Sequence, residues 1–190
     1  MHPIVIELPA WMDAFVAERP SLYHDDAARM GLVLDLARAN IRAGSGGPFG
    51  AAVFEAESGG LLAAGVNLVT SAHCSIAHAE MVALAMAQQA LGHHDLQFAV
   101  PGGCVLVSTA EPCAMCLGAL PWGGIARLVC GARDQDVRAI GFDEGDKPSH
   151  WPALLRRRGI GVTQDLMRAE AVAILRDYAE GGGEIYGPSL

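Results

Sequence analysis

Lysine is almost absent from this chain of 190 residues. The 13 basic residues are twelve arginines and one lysine, Lys147, against 21 acidic residues, which gives a formal net charge of −8. An acidic surface with so few cations makes poor contacts with the phosphates of nucleic acids. The one basic run, Arg156-Arg157-Arg158, is typical of a solvated helix end, where the helix dipole favours positive charge. We therefore expect no nucleic-acid partner.

Cysteine and long apolar runs are also scarce. The five cysteines are an odd number, and two of them fall in a metal-binding pattern, so the sequence does not indicate a disulfide framework. A reducing cytoplasm suits such free thiols better. No uninterrupted apolar run reaches the length of a membrane span, and the first residues show no basic region followed by an apolar core. We expect a cytoplasmic protein with no membrane partner.

Apolar residues are nevertheless abundant, at 52% of the chain. In a chain of this length they suffice for one domain with a substantial core. No internal repeat, low-complexity segment or linker divides the sequence. We therefore predict a single domain over residues 1–190.

Apolar spacing and breaker residues divide this domain into alternating helices and strands. Helices are predicted at about 25–43, 78–91, 112–122, 149–158 and 165–179, with Pro112 in the first position of its helix. Residues 11–16 could make a short helix that ends before Pro20, but we favour a packed N-terminal arm there. Strands are predicted at 49–56, 61–69, 104–109 and 127–132. The first two strands should form an antiparallel hairpin, whereas the later strands alternate with helices and should pair in parallel. The predicted fold class is α/β, a three-layer α/β/α sandwich with a mixed central sheet.

Two short runs carry the chemistry, His78-Ala79-Glu80 and Pro112-Cys113-Ala114-Met115-Cys116. Zinc binds imidazole nitrogen and thiolate sulfur, and a catalytic zinc site has three protein ligands and one open position. The histidine and the two cysteines supply that number. Both runs fall at predicted helix starts, where partial positive charge favours thiolate over thiol. The glutamate is too close to the histidine to ligate the same metal comfortably, and it is better placed to move protons on and off a bound water.

The paired runs resemble the zinc site of the cytidine deaminase superfamily, and the resemblance extends from about residue 48 to residue 144. It implies hydrolytic deamination with Zn²⁺ as cofactor and with His78, Cys113 and Cys116 as its ligands. Glu80 would take a proton from the attacking water and return it to the ring nitrogen and the leaving amine. The alternative from another class is a non-catalytic, zinc-stabilised interaction module. Such a module would want a fourth ligand and would have no use for Glu80.

Two further stretches bear on the substrate. Residues 109–119 with 131–134 resemble both the tRNA adenosine deaminases and the bacterial guanine deaminases. Ile140-Gly141-Phe142-Asp143-Glu144 resembles the guanine deaminase branch, whose members carry an acidic residue that approaches the base. The resemblance implies a free purine base as substrate, above all guanine, which would become xanthine, and it implies a second catalytic carboxylate at Glu144 or at Asp143. A tRNA adenosine deaminase is the alternative, but such an enzyme needs a basic surface.

Three more side chains are candidates for contacts with the base. Asn67 follows the second strand, where the family's substrate-binding asparagine lies, although asparagine also suits a turn. Phe49 and Phe142 would sandwich a flat base, although aromatic residues also serve the core. Family members are usually dimers, and bacterial guanine deaminases can exchange C-terminal segments. We therefore expect a homodimer, and the apolar face of 165–179 suits either such an exchange or an intramolecular core.

Overall fold

The structure, a computed structural model, describes residues 5–187 and contains eight helices and five strands over that range. The helices are α1 Trp11–Ala17, α2 Asp26–Arg42, α3 Ala79–Leu91, α4 Leu96–Ala99, α5 Ala114–Trp122, α6 Asp134–Ala139, α7 Trp151–Arg157 and α8 Arg168–Glu180. The strands are β1 Gly50–Glu55, β2 Leu61–Val66, β3 Cys104–Ala110, β4 Ile125–Ala132 and β5 Gly161–Thr163. Every predicted helix and strand is present, and its ends lie within a few residues of the predicted ones. Residues 11–16, for which the sequence favours a packed arm over a helix, are helical and belong to α1.

Local signals explain where the long helices begin and end. Asp25 caps α2, since its Oδ1 accepts a hydrogen bond from the backbone nitrogen of Ala28 at 2.7 Å. Gly92 ends α3 in the left-handed conformation, with φ of 65°. The prediction that Pro112 occupies the first helical position is wrong. Cys113 has extended backbone, with ψ of 172°, and caps α5, so Pro112 lies outside the helix.

The elements that the sequence did not predict are all short. They are α4 with four residues, α6 with six and β5 with three. Segments of this length show too few repeats of the helical or strand period to be recognised. The strand β5 forms only because it pairs in parallel with β4, for example at Val162 opposite Leu128.

The five strands form one mixed sheet in the order β2-β1-β3-β4-β5. Strand β1 is antiparallel to both of its neighbours, β2 and β3, while β3, β4 and β5 are parallel to one another. The predicted hairpin and the later parallel pairing are therefore confirmed. The long crossovers through α3 and α5 connect strands that run in the same direction.

Helices cover both faces of the sheet. On one face α1, α2, α6 and α8 contribute to a core that includes Ala52 and Phe54 of β1. On the other face α3, α4, α5 and α7 contribute to a core that includes Ala51 and Val53 of the same strand. The alternation follows from the two-residue period of a strand. This arrangement is the predicted three-layer α/β/α sandwich. Within residues 5–187, no helix is both long enough and apolar enough to cross a bilayer.

Several of the predicted site residues lie at one edge of the sheet, where three strands end. The carboxyl ends of β2, β3 and β4 meet there because these strands run in the same direction, and β1 begins there because it runs the other way. Phe49 precedes β1, Asn67 follows β2, and Glu111 follows β3. Helices α3 and α5 also begin at this edge. Ligands of open α/β sheets bind at such an edge.

Candidate active site

His78 is placed by the close approach of α3 to β2. It is the N-cap residue of α3, in extended backbone conformation with ψ of 154°. Gly65 of β2 permits the approach, because a Cβ there would lie 2.6 Å from the backbone nitrogen of Ala83. The first turn of α3 therefore rests against the sheet, and the imidazole of His78 is held beside the end of β3.

Cys113 and Cys116 lie on the first turn of α5. The sulfur of Cys113 caps the helix by accepting from the backbone nitrogen of Cys116 at 3.5 Å, and it lies 3.5 Å from Nδ1 of His78. The neighbouring Cys116 side chain, followed by His78, lowers the pKa of Cys113 to about 4 against the opposing effect of burial. The Cys113 sulfur and burial raise the pKa of Cys116. One ionisation of this pair is therefore easy, as expected, whereas a second anion would face the first.

The donor set fits a zinc ion. One ligand atom from each of His78, Cys113 and Cys116 lies within 4.8 Å of the others. One imidazole nitrogen and two sulfurs are the donors that Zn²⁺ prefers, and three protein ligands are the number of a catalytic site. All three residues sit at helix starts that are packed on the sheet, so the ligand positions are held by regular structure.

Glu80 lies beside these ligands in the first turn of α3. Glu80 is buried, with 6% of its surface exposed. Its Oε1 accepts a hydrogen bond from the hydroxyl of Ser108 at 3.2 Å, and its Oε2 lies 3.6 Å from the sulfur of Cys116. Burial and then the Cys113 thiolate raise the pKa of Glu80, while His78 and the Ser108 hydrogen bond oppose the shift. A carboxyl group with a raised pKa and a fixed orientation is suited both to accept and to return a proton.

A small cavity of about 30 Å³ joins nearly all the predicted site residues. Its lining consists of Phe49, Asn67, His78, Glu80, Ala110, Glu111, Cys113, Phe142, Asp143, Glu144 and Tyr186. The cavity has room for water but not for a purine. Cys116 is the one predicted site residue outside this lining, and its sulfur lies 3.6 Å from Oε2 of Glu80.

Tyr186 takes up much of the space beside Asn67. Asn67 is 1% exposed, and its side-chain amide donates a hydrogen bond to the hydroxyl of Tyr186. The Asn67 Oδ1 accepts from the backbone nitrogen of Val69 at 3.3 Å, so its orientation is fixed from the other side. The amide N–H of Asn67 therefore faces the cavity, and Tyr186 is its partner in this conformation.

The two predicted base-stacking residues pack against each other. The ring centroids of Phe49 and Phe142 are 5.2 Å apart and the ring planes meet at 68°, an edge-to-face pair. Phe142 makes a second edge-to-face contact with Tyr186, again at 5.2 Å. The two rings contact each other directly in this conformation, and the predicted sandwich stays a prediction.

Asp143 and Glu144 are neighbours in sequence but differ in environment. The Asp143 side chain is 42% exposed, and its Oδ1 accepts from the backbone nitrogen of Gly145 at 2.7 Å. Glu144 is 7% exposed, and its Oε2 is buried and accepts no hydrogen bond from the residues that the structure describes. Burial raises the pKa of Glu144 to about 8, with Lys147 opposing the shift and Cys113 adding to it. Glu144 thus offers a buried carboxyl oxygen to the cavity, whereas Asp143 stabilises the turn of its own loop.

The sequence reasoning missed several residues of this site. Tyr186 follows a glycine run and lies 119 residues from its partner Asn67, so no local pattern connects the two. Glu111 also lines the cavity, and its Oε1 accepts a hydrogen bond from the side-chain amide of Gln164 at 2.6 Å. Lys147 has a side chain that is only 6% exposed and lies 3.6 Å from Glu144. Lys147 is the only lysine of the chain, and this is the one feature of the sequence that distinguishes it.

Comparison with known families and proteins agrees with this geometry. The family description "Cytidine and deoxycytidylate deaminase zinc-binding region" matches residues 24–132. Among curated proteins, the guanine deaminase of Bacillus subtilis (strain 168) is 37% identical over 120 residues, which is 60% of this chain and 72% of that protein.

Solved structures give a more extensive match. The guanine deaminase from Nitrosomonas europaea is 50% identical, with a TM-score of 0.88 over 94% of this chain and 97% of that one. A structure in complex with 2,6-diaminopurine is also 50% identical, with a TM-score of 0.89 over 96% of each chain. A structure from a study of tRNA:A34 deaminases is 27% identical, with a TM-score of 0.58 over 77% of this chain.

Proposed function

This chain belongs to the cytidine and deoxycytidylate deaminase family, and we propose that its site hydrolyses the free base guanine to xanthine and ammonia. It is a zinc-dependent hydrolytic deaminase, similar over almost its whole length to guanine deaminases. The observation that carries the proposed substrate is the buried carboxyl oxygen of Glu144 on the cavity wall. A buried acceptor without a donor is costly, and guanine supplies adjacent donors, its ring N–H and its amine.

The proposed ligands of zinc are His78, Cys113 and Cys116, whose donor atoms lie close together. When bound there, the metal would activate a water molecule for attack on the ring carbon that carries the amine. Glu80, whose carboxylate is held between Ser108 and Cys116, would lie beside that water.

Glu80 is proposed to move the protons. The oxygen of water forms a bond to the amine-bearing carbon, and Glu80 takes one proton from the water and delivers it to the adjacent ring nitrogen. The remaining hydroxyl proton then passes through a carboxylate to the amine as the carbon–nitrogen bond breaks. Ammonia leaves and the hydroxyl oxygen becomes the carbonyl of xanthine. The raised pKa of Glu80 suits both directions of transfer.

Glu144 and Asn67 are proposed to recognise the edge of the base. Glu144 would accept from the ring N–H and the amine of guanine and would assist protonation of the leaving amine. Asn67 would donate from its amide to an acceptor on the purine. That amide donates to Tyr186 in the present conformation, so binding of a base requires Tyr186 to move. Phe49, Phe142 and Asp143 are proposed as further contacts with the ring.

The alternative functions find less support. A tRNA adenosine deaminase needs a basic surface, but the chain has a net charge of −8. Arg156 to Arg158 are exposed at the end of α7, as expected for a solvated helix end. A non-catalytic zinc module would not need a buried carboxylate beside its ligands. We therefore propose that the enzyme acts without a nucleic-acid partner.

We also propose that the enzyme is a cytoplasmic homodimer. All five cysteines are free, which suits a reducing compartment. Trp122 at the end of α5 is 84% exposed beside Leu117 and Pro121, an apolar surface of the kind that a second copy of the chain buries. Helix α8 packs on α2 and β4 of its own chain, so exchange of the C-terminal segments is the less supported arrangement. Sedimentation should give a dimer for the wild type, and Trp122→Arg should shift it toward monomer.

The test of the substrate is a panel of amines assayed side by side. Zinc-loaded enzyme is given guanine, adenine, cytidine, adenosine and a tRNA stem-loop, and both ammonia and xanthine are measured. We expect guanine to be the fastest substrate by a wide margin, because a site built to bond a polar edge rejects analogues that lack it. Faster ammonia release from any of the others would contradict the proposed substrate.

A further inference from the structure

The only lysine of the chain is buried at the edge of the active site. The side chain of Lys147 is 6% exposed, and its ammonium lies 2.8 Å from the carbonyl oxygen of Pro112, the residue before the proposed zinc ligand Cys113. Its Nζ also lies 5.9 Å from the centroid of the Trp151 ring. A charge in such a place is costly unless it is paired and hydrogen bonded.

Three carboxylates surround this ammonium. Its Nζ lies 3.0 Å from Oδ1 of Asp134, 3.6 Å from Oε2 of Glu144 and 3.9 Å from Oε2 of Glu111. A compact ammonium has three N–H directions and can face several partners at once, whereas a guanidinium is planar. The twelve other basic residues of the chain are arginines, and lysine occurs only at this position.

The three carboxylates differ in how much they depend on Lys147. Glu111 also accepts from Gln164 at 2.6 Å, and Asp134 also accepts from Arg138 at 2.7 Å. Among the described residues, Lys147 is the one cation within 4.0 Å of Glu144, whose Oε2 accepts no hydrogen bond. The orientation of the Glu144 carboxylate is therefore the one that should respond most to loss of the lysine.

We propose that Lys147 is a positioning residue, which aims the carboxylate of Glu144 at the substrate cavity and fastens its loop to the zinc-binding helix. The inference rests on the proposed role of Glu144. Two hydrogen bonds join the loop to the start of α5. Lys147 donates to the Pro112 carbonyl, and the backbone nitrogen of Ala114 donates to the Glu144 carbonyl at 2.9 Å. The turn between Glu144 and Lys147 contains Gly145, whose φ of 68° favours glycine and where a Cβ would lie only 3.0 Å from that of Ala114.

The experiment is a double-mutant cycle between Lys147→Met and Glu144→Gln, with kcat and KM for guanine measured on each zinc-loaded variant. Met keeps the length of the stem and removes the charge. We expect Lys147→Met alone to lower kcat by about 10–100-fold, since small misplacements of a catalytic group have effects of this size. In the Glu144→Gln background the same substitution should cost no more than about twofold, because residues that act through one another are not additive. Xanthine must be followed over hours to measure the slowest variants.

Two controls separate positioning from a general structural effect. Zinc content and the unfolding midpoint are measured on every variant. Arg168→Met removes another paired cation, 2.7 Å from Asp136, without contact with the loop, and it should leave kcat within about twofold of the wild type. If Lys147→Met does not fold, Lys147→Arg replaces it in the cycle. That variant keeps the charge but not the three-way geometry, and it should lower kcat only when Glu144 is present.

The outcomes are distinguishable. A loss in the wild-type background that disappears in Glu144→Gln supports the inference. A Lys147→Met rate within twofold of the wild type, or an equal loss in both backgrounds, overturns it. Glu144→Gln at the wild-type rate would overturn the proposed role of Glu144 itself. A slow Glu144→Gln combined with an equal loss in both backgrounds would overturn the role of Lys147 alone.

Discussion

The two halves of the active site are built in different ways. The proposed zinc-binding half consists of the first turns of α3 and α5, which carry His78, Glu80, Cys113 and Cys116 and pack directly on the sheet. The proposed base-binding half consists of side chains from connecting segments, namely Asn67 after β2, Phe142 to Glu144 after α6, and Tyr186 after α8. The first half presents its groups from regular structure, while the second presents them from loops.

This difference separates two tasks. Water activation and proton transfer need groups held in fixed geometry, which helix starts on a sheet provide. Choice of the base depends on donors and acceptors that can differ among relatives while the fold stays the same, and loops tolerate such change. The likeness to both guanine and tRNA deaminases fits this division. We therefore expect substitutions in the zinc-binding half to affect all turnover, and substitutions in the base-binding half to affect selectivity.

The largest effect is expected from Cys113→Ala. It removes a ligand and the cap of α5, so the protein should lose both zinc and activity. Elemental analysis of the wild type should give about one zinc per chain. The matched control is Cys104→Ala, a buried cysteine at the other end of β3, which should keep its zinc. Full zinc occupancy in Cys113→Ala would show that the ligand assignment is wrong.

The second-largest loss of activity is expected from Glu80→Gln. The amide keeps the size of the side chain but cannot carry the proton, so zinc and fold should be retained while turnover falls. General acid–base groups contribute about 10²–10⁴-fold, and because one carboxylate handles several transfers we expect the upper end of that range or beyond. The check is kcat on zinc-loaded protein. A variant within a few-fold of the wild type would exclude Glu80 as the proton carrier.

Substitution of the two adjacent carboxylates in the base-binding half should lower turnover by different amounts. Glu144→Gln should lower guanine turnover by about 10²-fold with zinc still bound, because it replaces the buried acceptor. Asp143→Asn should cost about twofold, because this side chain is exposed and serves its own turn. The measurement is the steady-state rate of each variant on guanine, compared with the wild type. A greater loss for Asp143→Asn would move the second catalytic carboxylate back by one residue.

The smallest effect is expected from charge reversal of Arg156 and Arg157. Both side chains are exposed at the end of α7, so guanine turnover should stay within about twofold of the wild type. The same double variant is assayed on a tRNA stem-loop at two salt concentrations. A large, salt-dependent loss on the RNA would favour the tRNA deaminase instead.

The residues of the proposed zinc-binding half could be recognised in the sequence, because they are close together in the chain. His78 and Glu80 are two residues apart, and Cys113 and Cys116 three apart, so each pair occupies one turn at a helix start. The fold was also predictable, since the long amphipathic helices and the strands of the sheet show clear periods. The short elements α4, α6 and β5 show no such period.

The base-binding half was predicted only in part, because its contacts are distant in sequence. Asn67, Phe142 and Glu144 were predicted through resemblance to a family, but the proposed choice of Glu144 over Asp143 depends on burial, which the sequence does not reveal. Tyr186 meets Asn67 across 119 residues. Lys147 is conspicuous in the sequence because it is the only lysine. Its proposed role, however, depends on three carboxylates that the fold brings together.

The most direct test of the separation between the two halves is equilibrium binding to a variant that cannot turn over. Radiolabelled guanine and adenine are dialysed against zinc-loaded Glu80→Gln and against Glu80→Gln combined with Glu144→Gln. We expect Glu80→Gln to bind guanine about 100-fold or more tightly than adenine, and we expect the second substitution to remove most of that preference. An unchanged ratio of the two dissociation constants in the double variant would contradict our account, since it would place the selection of the base outside the loop that carries Glu144.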